Sequence, residues 1–388
     1  MRDVIVIGGG PAGLSAARAL ASAGRHVSVF EEHAEIGAPV HCTGVLAEDA
    51  LTALALPATA LLNPLRTVRF VAPRGHSFDY TTASTEAVVI DRRVFDETLA
   101  TLARQSGAEV VRGRRVTDLA PVAGGLRATF ADGQAVEARS AVLACGAAYT
   151  FQRRLGMGLP RTFLQSAQLE LPAASPGDVE VHFGSAIAPR GFAWAVPVRR
   201  PEGTFARIGV MADQHADRFF VRMLDRVAER WGVSRPADTA PRRRLLPLGA
   251  VGRSYADRVL AVGDAAGLVK PTTGGGIYYS VLSGQLAADV LGTALAADDL
   301  SAARLREYER EWQRRFQPEF SAQQTLRFIA HRMRDTDIDA LFDLATTDGI
   351  LPLVRETARF NRHRDFILAL LRHAPARRVM FNCLAGSW

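Results

Sequence analysis

The chain opens on an unbroken apolar run, residues 4–8, of the kind that lies buried on both faces of a parallel sheet. Residues 11–24 then set Leu14, Ala17, Leu20 and Ala21 at helical spacing, and 26–30 form a second apolar run ending in Glu31 and Glu32. This order of strand, helix and strand predicts a β-α-β unit. Short strands are expected across 66–90. Residues 92–106 carry Phe95, Leu99, Leu102 and Ala103 on one face of a helix. Strands follow around 116–119, 126–130 and 136–138, with Asp132-Gly133 supplying a hairpin turn, and 141–144 reads as a further buried strand.

From about 162 to 249 the pattern becomes alternating, as in strands with one face buried. Strands are expected at 164–171, 179–183, 192–198 and 205–211, with one helix over 215–231. Such alternation predicts an antiparallel sheet. A buried strand returns at 258–262 and a helix at 276–295. From 301 onward the pattern is helical, with breaks expected at Pro318, at 349–352 and at Pro375. The expected class is α/β. A discontinuous domain (1–65, 85–160 and 245–300) is interrupted by an antiparallel-sheet domain (66–84 and 161–244) and followed by a helical C-terminal region (301–388).

Composition narrows the function. Of 388 residues, 48% are apolar and 22% charged, the balance of a soluble globular chain. No apolar run approaches the roughly 18–20 residues of a spanning helix. The net charge is +7, yet 46 of the 47 basic residues are arginine and the single lysine is Lys270. With no nucleic-acid motif beside it, this balance does not predict a nucleic-acid partner. Cys42, Cys145 and Cys383 are too scattered for a disulfide framework or a metal site. The apolar start leaves no signal peptide expected, and a cytoplasmic setting is anticipated.

Gly8-Gly9-Gly10-Pro11-Ala12-Gly13 places G-x-G-x-x-G between a strand and a helix. Its glycines permit a tight turn, close approach of the backbone to a pyrophosphate and close packing of helix on strand. The helix N-terminus offers free amides to the phosphates. Glu31, 18 residues beyond Gly13, ends the second strand where a carboxylate can accept from ribose hydroxyls. No second fingerprint follows, which argues against an enzyme holding two dinucleotides side by side. Later, a buried strand runs into Gly263-Asp264-Ala265-Ala266-Gly267 and continues through Lys270-Pro271-Thr272-Thr273-Gly274-Gly275-Gly276-Ile277. Asp264 can accept from a polyol, and the glycines make a nest of amides suited to an electron-rich ring edge.

At these residues the chain resembles FAD-dependent oxidoreductases of the p-hydroxybenzoate hydroxylase fold, and among them the geranylgeranyl reductase family. Gly37-Ala38-Pro39-Val40-His41-Cys42-Thr43-Gly44 and Asp91-Arg92-Arg93-Val94-Phe95-Asp96 carry the likeness further. The resemblance covers about residues 1–300 well and the helical tail loosely. It implies non-covalent FAD. The glycine loop (Gly8, Gly10, Pro11, Ala12, Gly13) would hold the pyrophosphate, Glu31 with Glu32 the ribose, and Val116 the adenine through its backbone. Cys42, Thr43 and Gly44 would line the flavin, and Arg92, Gly263 and Asp264 would meet its phosphate or ribityl chain. Gly275, Gly276 and Ile277 would offer amides to the ring. The alternative for Arg92 is an ion pair within the helix it opens. Cys42 is the candidate proton donor, His41 is expected in a solvated loop, and Lys270 is expected either near the flavin or as a loop anchor.

On the substrate side, Phe192 and Trp194 alternate onto one face of a strand, where with Pro271 they would floor a cavity for an apolar molecule. The alternative is that both rings are sheet core. Val196 stands where the family carries an aromatic residue, and Met211 where it carries a glycine. Cys145 stands where related hydroxylases carry an aspartate tied to NADPH handling, and is expected as a packed strand residue. NADPH or another reductant is the expected electron source. Residues 351–388 hold seven arginines against two acids among apolar residues ending in Trp388. They are expected either to touch the inner face of a membrane or to cover the substrate tunnel. The expected activity is reduction of carbon–carbon double bonds in an isoprenoid-like lipid. A flavin monooxygenase acting on an aromatic or polycyclic substrate, and a flavin-holding binding protein or electron carrier, are the alternatives.

Overall fold

The computed structural model describes residues 1–235, 239–347 and 349–385. Strand Arg2–Ile7 lies inside an eight-stranded sheet, parallel to Val27–Phe30 on one side and Ala135–Leu143 on the other. Val4, Ile5 and Val6 are fully buried, as their unbroken apolar run requires. Glu109–Val111 and Val259–Ala261 continue the parallel order outward. Helix Pro11–Ser22 packs between Ile277–Ala296 and Arg92–Gln105. Strands Val116–Val122 and Gly125–Phe130 form an antiparallel meander on Ala135–Leu143, turning back at Asp132-Gly133.

The second sheet has seven strands in the order Arg242–Pro247, Phe163–Pro172, Gly203–Ala212, Phe192–Arg200, Val179–His182, Thr67–Val71 and Ser77–Thr81. Helix Ala216–Trp231 covers one face, burying Phe220, Met223, Val227 and Trp231 against Ala167, Ile208 and Val210. The sheet is not wholly antiparallel as expected, because Val179–His182 runs parallel to Thr67–Val71. Parallel neighbours need a long crossover. Here the intervening chain passes through the first sheet before returning. A small sheet of Leu61–Leu65, Ala87–Ile90 and Val45–Ala47 joins the two, with Val89 packed on Val196 and Val198.

Helix Ala302–Ala330 passes straight through Pro318, where a break was expected. Proline removes one helical hydrogen bond. Anchors on both sides of it, Phe316 and Phe320, pack on the ring of Tyr279 and hold the helix together across the proline. Breaks do fall at Gly349, which takes φ +79° before helix Ile350–Thr357, and ahead of Pro375, where Arg364–Arg372 gives way to Ala374–Ala385. Among the described residues no helix is long and apolar enough to cross a membrane. Trp388 lies outside the described residues.

Candidate functional site

A cavity of about 1690 Å³ lies between the end of the parallel sheet and the seven-stranded sheet. Common small-ligand sites hold roughly 300–1,000 Å³, so there is room for a dinucleotide and a second ligand. At one end sits the glycine loop. Gly8 takes φ +113°, and a Cβ there would stand 2.3 Å from the Ala144 carbonyl oxygen. A Cβ on Gly13 would stand 2.2 Å from the Gly8 carbonyl oxygen, so helix Pro11–Ser22 meets the strand only because glycine occupies both places. Gly10, the N-cap, has no side-chain partner, leaving the first-turn amides directed at the cavity. Glu31 faces the same space and accepts from the Gly9 amide at 2.7 Å and the His33 amide at 2.9 Å.

Gly8, Gly10, Pro11, Ala12, Glu31, Glu32 and Val116 line the cavity, while Gly13 lies behind its wall. The loop Cys42-Thr43-Gly44 lines it as well. The Gly44 amide donates to Cys42 Sγ at 3.3 Å, and the Thr43 hydroxyl donates to Gln168 Oε1 at 2.9 Å, tying the loop to the second sheet. His41, expected in a solvated loop, is half-buried in the wall, and its Nδ1 has no partner among the described residues. Burial, with Arg244 and Arg242 adding repulsion, pushes its pKa down to about 4.

Arg92 combines its two expected roles. It lines the cavity and also pairs with Asp96 at 2.8 Å across one helical turn. Burial opposes its charge, but the Asp96 carboxylate and the Cys42 sulfur outweigh that and hold its pKa above the usual value. Arg92 Nε has no partner among the described residues. Asp264 lines the far wall, and its carboxylate has no hydrogen-bond partner among the described residues; its backbone carbonyl accepts from Tyr149 at 2.7 Å. Burial raises the Asp264 pKa, with Arg92 and Arg244 pulling the other way. Gly275, Gly276 and Ile277 line the cavity at the start of an uncapped helix, while Gly263 and Pro271 are buried outside the lining.

Lys270 is 4% exposed and anchors a C-terminal turn, with Nζ donating to the Phe360 carbonyl at 2.9 Å and lying 4.3 Å from the Phe360 ring centre. Phe360, Asn361 and His363 of that turn line the cavity in their own right. Cys145 falls just beyond strand Ala135–Leu143 rather than within it, lines the cavity, and has its thiol pushed up to about 11 by burial.

The other end of the cavity is apolar. Phe192 and Trp194 line it with ring centres 5.8 Å apart, and Phe183 and Phe342 continue the wall. Trp194 lies flat over Gly209 of the neighbouring strand, where a Cβ would stand 2.2 Å from the indole. Sequence reasoning missed Arg207, which is 2% exposed. Its guanidinium donates to Glu170 at 2.6 Å, the Thr43 carbonyl at 2.7 Å and the Ile90 carbonyl at 2.9 Å. Glu170 also pairs with Arg200, which reaches Asp91, the cap of the helix opened by Arg92. A single charge inside the apolar run 205–211 was the available signal.

A glycine cradle, a facing carboxylate and an uncapped helix start around one crevice define a dinucleotide-binding protein with a second sheet across the cavity. The family model of pyridine nucleotide-disulphide oxidoreductases matches residues 2–165. A digeranylgeranylglycerophospholipid reductase of Methanopyrus kandleri is 30% identical over 371 residues, covering 91% of this chain and 92% of that one. A solved geranylgeranyl bacteriochlorophyll reductase-like protein from Thermoplasma acidophilum shares the fold with a TM-score of 0.82 at 24% identity, over 98% of this chain and 99% of that one. A flavin-dependent brominase superposes with a TM-score of 0.70 at 17% identity, over 99% and 98% of the two chains. The chain belongs to the geranylgeranyl reductase family of FAD-dependent oxidoreductases.

Proposed function

We propose that this enzyme reduces carbon–carbon double bonds in the isoprenoid chains of a prenyl lipid. The observation that carries the proposal is one continuous cavity, with the glycine loops at one end and the Phe192, Trp194, Phe183 and Phe342 wall at the other. FAD, when bound, supplies the hydride. The glycine loop and the N-terminus of Pro11–Ser22 would hold its pyrophosphate, Glu31 the ribose and Val116 the adenine. The Asp264 carboxylate, without a hydrogen-bond partner among the described residues, suits the polyol chain, and Gly276 and Ile277 would offer amides to the ring edge, while the Gly275 amide already donates to Thr273 Oγ1 at 3.4 Å. Arg92, held in place by its ion pair with Asp96, sets a guanidinium beside Cys42.

The aromatic wall orients an apolar chain and excludes water from it. Cys42 Sγ, on the loop clamped by Arg207, is the proposed proton source for the second carbon of the double bond. The relatives' name points to a prenylated glycerophospholipid, and the apolar wall supports that class. The purified protein should be yellow. Under anaerobic conditions, protein reduced with dithionite should be reoxidised by a prenyl lipid but not by its saturated counterpart, with NADPH tried as reductant in parallel. Cys42→Ser should keep the bound flavin and slow the lipid-dependent step. A flavin that no unsaturated prenyl lipid reoxidises would sink the proposal.

A further inference from the structure

Four basic groups crowd one rim of the cavity. Arg190, Arg327, His331 and Arg332 all line it, next to Phe192, Leu326 and Met333. They lie close enough that, after burial, the charges of Arg190, Arg327 and Arg332 each push the His331 pKa down. Two acids face them. Asp213 is 3.3 Å from Arg190, and Asp335 already accepts from the Ser185 amide and hydroxyl at 2.8 Å each.

Arg327 stands out within this group. Half-buried on helix Ala302–Ala330, it makes no ion pair among the described residues, where its guanidinium donates only to the Arg190 carbonyl. Burial lowers its pKa, with Asp213 as the one opposing charge. A partly desolvated guanidinium whose nearest acid, Asp213, is already paired with Arg190 is under-compensated until a further anion arrives. Arg190 is held at φ +57°, a left-handed conformation that arginine rarely takes. Arg332 stacks 3.7 Å from the ring centre of Phe328, which is 53% exposed. Planar guanidinium forks match phosphate oxygens, and a cavity with apolar walls and charge at one edge suits an amphipathic ligand.

We propose that Arg190, Arg327 and Arg332 bind the phosphate of a prenyl lipid whose chain lies along the aromatic wall. The inference rests on the lipid-reductase reading above and adds the headgroup to it. Two sources carry that chemistry, a glycerophospholipid head and a free prenyl diphosphate.

The test is calorimetric binding to the FAD-loaded full chain of a prenylated glycerophosphate, a prenyl diphosphate and the prenyl alcohol of equal chain length. All three are presented in one neutral detergent, with turnover measured alongside. Phosphorylated lipid should bind at least about tenfold more tightly than the alcohol. Arg327→Gln should remove that advantage and leave alcohol binding unchanged. Preference between the two phosphorylated lipids identifies the source, and either preference supports the site. Equal affinity for all three lipids, or an Arg327→Gln variant that weakens all three alike, overturns it. Should Arg327→Gln fail to fold, Arg332→Gln on the exposed side carries the same comparison. Tight phosphate-dependent binding without turnover would sink the reductase reading alone. Turnover of all three lipids with equal KM would sink the headgroup site alone.

Discussion

Replacing Arg207 by methionine keeps most of the side-chain volume and removes the guanidinium that holds the flavin-side loop to the second sheet. Three bonds disappear, to Glu170, to the Thr43 carbonyl and to the Ile90 carbonyl. Glu170 keeps Arg200 as a partner, so its charge is not stranded. The two carbonyls lose their guanidinium donor, at about 1–3 kcal/mol each, for an expected loss of about 2–6 kcal/mol. Urea denaturation read by far-ultraviolet circular dichroism measures it. Because Thr43 and Gly44 line the cavity, FAD affinity should fall as well, about tenfold for each 1.4 kcal/mol of lost loop order. Arg207→Lys keeps a charge but not the fork, and should fall between wild type and methionine. The pH dependence has a definite sign. Burial would raise the Glu170 pKa, but Arg200 and Arg207 outweigh it and hold the carboxyl below its ordinary 4.5. That stabilisation is present above pH 4.5 and is lost as pH falls through the folded value. The acid-side loss should therefore be smaller in Arg207→Met. An unchanged urea midpoint together with unchanged FAD affinity would refute the clamp.

Gly13→Ala puts a methyl 2.2 Å from the Gly8 carbonyl oxygen, so the purified variant should be colourless and refuse added FAD; a normal visible spectrum would contradict the close packing. Burial pulls Lys270 from 10.5 to about 8, so between those values the unfolded chain binds the extra proton. Wild-type stability relative to Lys270→Met should therefore climb from pH 8 to 10.5, by on the order of 2 kcal/mol, and a flat difference would count against a buried lysine. Gly209→Val drives the Trp194 indole off its seat, so prenyl-lipid binding should weaken by about tenfold or more while FAD absorbance stays normal. Equal lipid affinity in that variant would remove Trp194 from the wall.

The dinucleotide half of the fold was legible in the sequence because its requirements are local. An apolar run buried on both faces, glycines at Gly8 and Gly13 and a helix directly after them leave few alternatives within a stretch of chain. Alternation likewise placed Phe192 and Trp194 on one face. It did not reveal that Gly209 clears the space under the indole, since that contact crosses to another strand. Nor did it reveal the parallel strand pair in the second sheet, the helix that continues through Pro318, or the burial of His41.

Lys270, conspicuous as the only lysine, was legible as unusual but not as the anchor of Phe360, 90 residues further along. Arg207 meets Thr43 across a sequence separation of 164. Sequence by itself determined where the backbone turns, which runs are buried and which helix starts carry free amides, because nearest neighbours impose those conditions. Only the tertiary structure decided which buried charges face one another and which rings wall the cavity. Those pairings depend on residues brought together after the strands have registered, and no short window of sequence contains both partners.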